Sequence, residues 1–122
     1  MKLKVCGLAN PVEVETCINN GVSFCGFILN YPKSHRYISY EKANKLFNIN
    51  KKKTQYVGVL VKPSLEELEK FSQLNLDYFQ LYGQYDNQLL FDIKKKFKKK
   101  IIITIQVENK KDIETYKKVE AE

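Results

Sequence analysis

The chain has 122 residues, 43% of them hydrophobic and 29% charged, with a formal net charge of +7 from 21 Lys and Arg against 14 Asp and Glu. That length supports one hydrophobic core and a single domain, 1–122, and the composition is that of a folded protein and not of a disordered segment. No run approaches the ~18 apolar residues of a membrane span and no charged-then-apolar leader precedes the first strand signal, so a cytoplasmic protein without a membrane partner is expected.

Cys6, Cys17 and Cys25 form no CxxC pair, and the sequence holds a single histidine, His35. This argues against a disulfide framework and against a zinc site, and no metal or other cofactor is expected. The lysine runs at 51–53, 94–96 and 98–100 carry much of the positive charge. They fall at helix ends and in loops, where Lys complements the helix dipole and keeps a surface solvated. No nucleic-acid-binding motif accompanies them, so no nucleic-acid partner is expected.

Taken in order, Leu3 and Val5 mark a short strand that runs into Cys6-Gly7. Asn10-Pro11 then opens a helix, with Asn10 as N-cap and Pro11 where its missing N–H costs nothing. Val14, Cys17 and Ile18 give that helix one apolar face, and Gly21 stops it. Residues 23–29 form a continuous apolar run, as in a strand buried on both faces, with Cys25 as packing. A polar loop follows, Tyr31-Pro-Lys-Ser-His-Arg-Tyr-Ile38, of the kind that carries function on a rigid scaffold. His35 reads there as a solvated side chain. Ser39 caps a helix with Ala43, Leu46 and Phe47 inward, and residues 48–54 link it to a third strand, Gln55 to Val61.

Ser64 and Glu67 form a capping box ahead of Leu65, Leu68 and Phe71. A fourth strand spans Leu76 to Tyr82, and Asp86 caps a helix with Leu89, Leu90, Ile93 and Phe97 on its apolar face. A fifth strand is predicted over residues 101–107, and Asn109 opens a last helix carrying Ile113, Tyr116 and Val119. Strand and helix thus alternate five times, which implies a parallel sheet with right-handed crossovers. Two architectures remain open on periodicity alone: a doubly wound sheet, or part of an eight-fold barrel. Neither GxGxxG nor a Walker loop follows any strand, which weakens a nucleotide-binding version.

The motifs narrow the choice. Lys4-Val-Cys-Gly-Leu8 with Asn10-Pro11 resembles the opening K-[IV]-C-G-[IL]-T of the phosphoribosylanthranilate isomerase family. Gly26-Phe27-Ile28 resembles its G-F-[VI]-F strand. The stretch from Tyr31 to Ser39 resembles its P-x-S-x-R-Y-[IV]-S loop. Val57-Gly-Val-Leu-Val61 resembles V-G-V-F-V, and Phe79-Gln-Leu-Tyr-Gly83 resembles V-Q-L-H-G. The resemblance covers essentially the whole chain, and five short motifs in order carry it.

The resemblance implies an α/β fold of the (β/α)8 TIM-barrel type, here an incomplete barrel of about five parallel strands and their helices. It also implies an isomerase of tryptophan biosynthesis, acting on the small anionic substrate N-(5-phosphoribosyl)anthranilate by an Amadori rearrangement without metal or cofactor. By the same resemblance Cys6 is the general base, and Arg36, Gln80 and Tyr82 contact substrate. A thiol ionises near pH 8.5, so a base of this type benefits from a nearby cation, and Arg36 offers a planar, permanently charged fork for a carboxylate.

Three departures stand out. Tyr82 replaces the usual His, Ile103 replaces a frequent Lys with the implied loss of a cation from the site, and Lys62 replaces the customary Asn after strand three. The general acid, an aspartate after a sixth strand, and the phosphate loops after strands seven and eight are not among these 122 residues; Asp92 and Asp112 fall on predicted helices and are no substitutes. Little or no isomerase activity is therefore expected of this polypeptide by itself. Unpaired first and fifth strands would favour self-association through open sheet edges. The alternative reading is a non-catalytic, half-barrel-like binding or assembly module.

Overall fold

The structure, a computed structural model, describes residues 2–83 and 85–104. Five strands alternate with four helices: β1 (Lys4–Val5), α1 (Pro11–Asn19), β2 (Phe24–Ile28), α2 (Tyr40–Leu46), β3 (Gln55–Val61), α3 (Leu65–Ser72), β4 (Tyr78–Tyr82), α4 (Asn87–Phe97) and β5 (Lys100–Thr104). The fifth helix predicted from Asn109 and the end of the fifth strand lie outside the described residues.

Local chemistry sets the helix starts. The side chains of Asn10, Ser39, Ser64 and Asp86 each accept a hydrogen bond from the backbone N–H three residues on, satisfying a donor that the helix leaves unpaired. Ser64 and Glu67 complete the capping box in both directions, at 3.1 Å each way.

The sheet is parallel throughout, in the order β1-β2-β3-β4-β5. Every crossover carries a helix to the same side, which is what distinguishes a barrel-type sheet from a doubly wound one. Among the described residues the sheet is open, with β1 and β5 each paired on one side.

Ladder register sorts the side chains into two faces. Cys25, Phe27, Leu29, Tyr56, Leu60, Phe79, Leu81 and Ile101 meet the helices and form the main core with Val14, Ile18, Ala43, Phe47, Leu68, Phe71, Leu90 and Ile93. Phe27, Phe47 and Tyr56 meet there as ring pairs with centroids 4.7–5.5 Å apart, two of them edge-to-face. The opposite, inner face carries Lys4, Phe24, Gly26, Ile28, Val57, Val59, Val61, Tyr78, Gln80, Tyr82, Ile102 and Thr104, following the same ladder. In a barrel this is the face that lines the interior. Val57 and Val59 are buried yet stand apart from the helix-side core.

At the amino ends of the strands, Asp77 accepts from Lys51 Nζ and from the Tyr56 backbone N–H, while Lys99 Nζ donates to the carbonyls of Leu74 and Leu76. This end is tied up in structural contacts. The carboxyl ends carry the candidate site.

Candidate functional site at the carboxyl ends of the strands

Cys6 follows β1 directly and is exposed, whereas Cys17 is partly buried against the core and Cys25 is fully buried. The chain then turns through Gly7, whose φ of +79° suits a residue without a side chain. The backbone N–H groups of Gly7 and Leu8 both donate to the Gly26 carbonyl, at 3.0 and 3.2 Å, which pins the turn to the end of β2.

The loop after β2 brings Arg36 to the same place. Tyr37 pairs with Ile28 as an isolated parallel bridge, the Ile38 N–H donates to the Ile28 carbonyl at 3.1 Å, and the Arg36 N–H donates to Ser34 Oγ. The aliphatic stem of Arg36 lies across Gly7: a Cβ built there would meet Arg36 Cγ at 3.2 Å. Glu13, in the first turn of α1, accepts from the Ala9 N–H at 3.0 Å and stands 3.7 Å from Arg36 Nη1. Half-exposed, this pair contributes roughly 0–1 kcal/mol, and it acts chiefly to orient the guanidinium. Cys6 and Arg36, 30 positions apart, are thereby neighbours.

Lys4 joins them, a residue of the K-V-C-G motif to which the sequence alone assigns no role. Alternation puts Lys4 and Cys6 on the same face of β1, and Gly26 on β2 has no side chain to separate them. A Cβ at residue 26 would stand 3.1 Å from Cys6 Sγ and 3.4 Å from Lys4 Nζ. The signal that could have found Lys4 is the i, i+2 spacing to Cys6.

Gln80 and Tyr82 share this inner face but lie three strands along, on β4. With strands spaced about 4.8 Å, that is roughly 14 Å measured along the sheet from Cys6. Tyr82 is exposed at the strand end, level with Val61 and Thr104. Gln80 sits one layer deeper and is buried; its Nε2 donates to Thr104 Oγ1 at 3.0 Å, while its Oε1 has no described partner. His35 is exposed, and Asp92, on α4, accepts from Gln88 at the surface. Asp112 lies outside the described residues.

Position 103 corrects an inference drawn from the sequence. Ile103 pairs with Leu81 and packs against the helix-side core, so its side chain does not enter the inner face. Ile102 and Thr104 are the residues of β5 that do. The identity of residue 103 therefore does not decide whether the site holds a cation; Lys4 and Arg36 supply two.

Comparison with known proteins agrees with this fold. The model of the N-(5'-phosphoribosyl)anthranilate (PRA) isomerase family matches residues 3–121. The N-(5'-phosphoribosyl)anthranilate isomerase of Streptococcus gordonii is 41% identical over 93 residues, which cover 75% of this chain and 47% of the relative. That of Streptococcus mutans is 35% identical over 112 residues, 91% of this chain and 55% of the relative. A crystal structure of a phosphoribosyl anthranilate isomerase in complex with reduced 1-(o-carboxyphenylamino)-1-deoxyribulose 5-phosphate superimposes with a TM-score of 0.84 at 30% identity, covering 94% of this chain and 58% of that one. The chain spans about half the length of the curated relatives it matches.

Proposed function

We propose a function on the premise that this chain belongs to the N-(5'-phosphoribosyl)anthranilate isomerase family: it supplies the base side of an isomerase site for the Amadori rearrangement of tryptophan biosynthesis. The substrate is the anionic phosphoribosyl amine of anthranilate, and the product is its isomer, the 1-(2-carboxyphenylamino)-1-deoxyribulose 5-phosphate.

In this reading the Cys6 thiolate takes the proton from C2′ of the ring-opened substrate. The electron pair left behind forms a C1′=C2′ double bond while the C1′=N bond of the protonated imine gives its pair to nitrogen. The enolamine so formed takes a proton at C1′ and loses one from the C2′ hydroxyl to become the ketose, without net oxidation. Arg36 holds the anthranilate carboxylate, for which its planar fork is suited. Gln80 and Tyr82 contact the substrate further along the inner face. Tyr82 offers a hydroxyl where a histidine is usual, so it can donate a hydrogen bond but cannot exchange protons near neutrality.

The observation that carries the reading is the exposed Cys6 at the carboxyl end of β1 with the Arg36 stem laid across Gly7. Such strand ends are where barrel enzymes place their chemistry. The second reading is a non-catalytic, half-barrel-like binding or assembly module, in which copies would associate through sheet edges.

A chimera of this chain with the remaining segment of the S. gordonii isomerase separates the two in an anthranilate-fluorescence assay. We expect turnover from the chimera, a loss of at least about 100-fold in kcat with Cys6→Ser, and almost none from the 122-residue polypeptide. A folded chimera that binds substrate without turnover would favour the assembly module. Activity surviving Cys6→Ser would remove the cysteine from its role.

A further inference from the structure

We propose that Lys4 is a positioning residue for Cys6: its ammonium shares with the thiol the space that Gly26 leaves open and draws anionic groups to the sulfur. The proposal rests on the reading of Cys6 as the reactive group of the site.

Three observations meet here. Lys4, on β1, and Cys6, directly after it, lie two residues apart on the inner-face side. The neighbouring inner-face position on β2 is glycine, and the place a Cβ would take is lined by Cys6 Sγ at 3.1 Å and Lys4 Nζ at 3.4 Å. A side chain at 26 would have to push one of them away. Finally, the salt bridges among the described residues are Arg36–Glu13 and Lys51–Asp77. The Arg36 charge is thus partly compensated, while no described carboxylate neutralises Lys4. Next to the thiol, Lys4 is the cation with its field intact.

The consequence is a local electrostatic selectivity. Since Cys6 Sγ and Lys4 Nζ lie 3.1 and 3.4 Å from the same point, they are at most about 6.5 Å apart, and a unit positive charge there, even at the dielectric constant of water, favours a singly charged anion over a neutral molecule by about threefold or more. For an anionic substrate this concentrates the ligand at the base; for the protein alone it makes the thiol discriminate between charged and neutral reagents.

The test uses that discrimination on the 122-residue chain, with no need for turnover. The rates of Cys6 alkylation by iodoacetate and by iodoacetamide are followed by mass spectrometry of the Cys6 peptide, which separates it from Cys17 and Cys25. The ratio of the two rates cancels the reactivity of the thiol itself and reads only the local field. Lys4→Gln is expected to lower the ratio about threefold at low ionic strength, and Lys4→Arg to preserve it. Lys95→Gln, which removes the same charge from the exposed face of α4, is expected to leave it unchanged.

In the unsubstituted chain the ratio should fall toward the Lys4→Gln value in ~1 M salt, where the screening length is ~3 Å. An unchanged ratio in Lys4→Gln, an equal drop in Lys95→Gln, or a salt-independent ratio would each overturn the proposal. If Lys4→Gln fails to fold, Lys4→Met, which keeps the length of the stem without its charge, takes its place. The isomerase reading is judged separately by the fluorescence assay, so either can fail while the other stands.

Discussion

Lys62 leaves β3 with a φ of +43°, in the left-handed region that costs an ordinary L-residue roughly 1–2 kcal/mol. Its backbone N–H is held there by the Tyr82 carbonyl at 2.8 Å. Asparagine tolerates this conformation better than lysine does, so the Asn that the family resemblance leads one to expect at this position has a backbone reason independent of substrate. Replacing Lys62 by Asn should raise stability by about 0.5–1 kcal/mol, seen as a higher urea midpoint at unchanged slope. A lower midpoint would show that the lysine side chain contributes more than the strain removes. At this scale the sequence singles out Cys6 and Arg36 because each sits in a distinctive motif. It gave Lys4 no role, since a strand lysine beside a cysteine becomes meaningful only once the residue across the ladder is known to be glycine.

Among the elements, α1 couples stability to the site. Its N-cap Asn10 accepts from the Glu13 N–H at 2.9 Å, and the Glu13 carboxylate in turn receives the Ala9 N–H and faces Arg36. Asn10→Ala should therefore cost about 1 kcal/mol and Asn10→Asp almost nothing, a difference readable in thermal unfolding. Equal losses in the two variants would mean that the side-chain size matters and not the capping oxygen. Caps of this kind are legible in sequence because donor and acceptor lie three residues apart, and β3 likewise begins and ends where the turn residues place it. The face assignment of β5 was not legible. Ile101, Ile102 and Ile103 form an unbroken apolar run without alternation, so only pairing with Phe79, Gln80 and Leu81 tells which of them looks inward.

For the whole molecule, Cys25, Tyr56 and Tyr85, in or against the helix-side core, resist ionisation because they are buried. Burial, with smaller contributions from the neighbouring Cys17, pushes the Cys25 thiol up to about 12. Burial also leads in raising the Tyr56 hydroxyl to about 12, helped by Cys25 and Asp77. Unfolded, these groups release their protons near their ordinary values, while the folded chain keeps them. Above about pH 9 the unfolded state then binds fewer protons than the native state, and stability falls as pH rises until about 12.

Lys99 opposes this over part of the range: burial lowers its affinity for the proton, so near its ordinary value the unfolded state binds more. With Cys25, Tyr56 and Tyr85 on one side and Lys99 on the other, denaturation midpoints measured from pH 7 to 11 should be flat below about 8 and decline above 9, more steeply for the unsubstituted chain than for Cys25→Ala. A flat profile to pH 11 would show that these side chains are solvated in the folded state.

What the sequence determined by itself was the local grammar: the order of strands and helices, the capping residues, the two-residue spacing within β1, and motifs specific enough to indicate a family. The tertiary structure decided what depends on contacts between distant positions. It placed Arg36 over Gly7, left the space at Gly26 that the Lys4 ammonium and the Cys6 thiol both border, turned Ile103 toward the helices, and buried Gln80 beneath Tyr82. The physical reason is that strand register is non-local: a step of one residue in the ladder exchanges the two faces of a strand, and nothing in an apolar run of isoleucines records which step was taken.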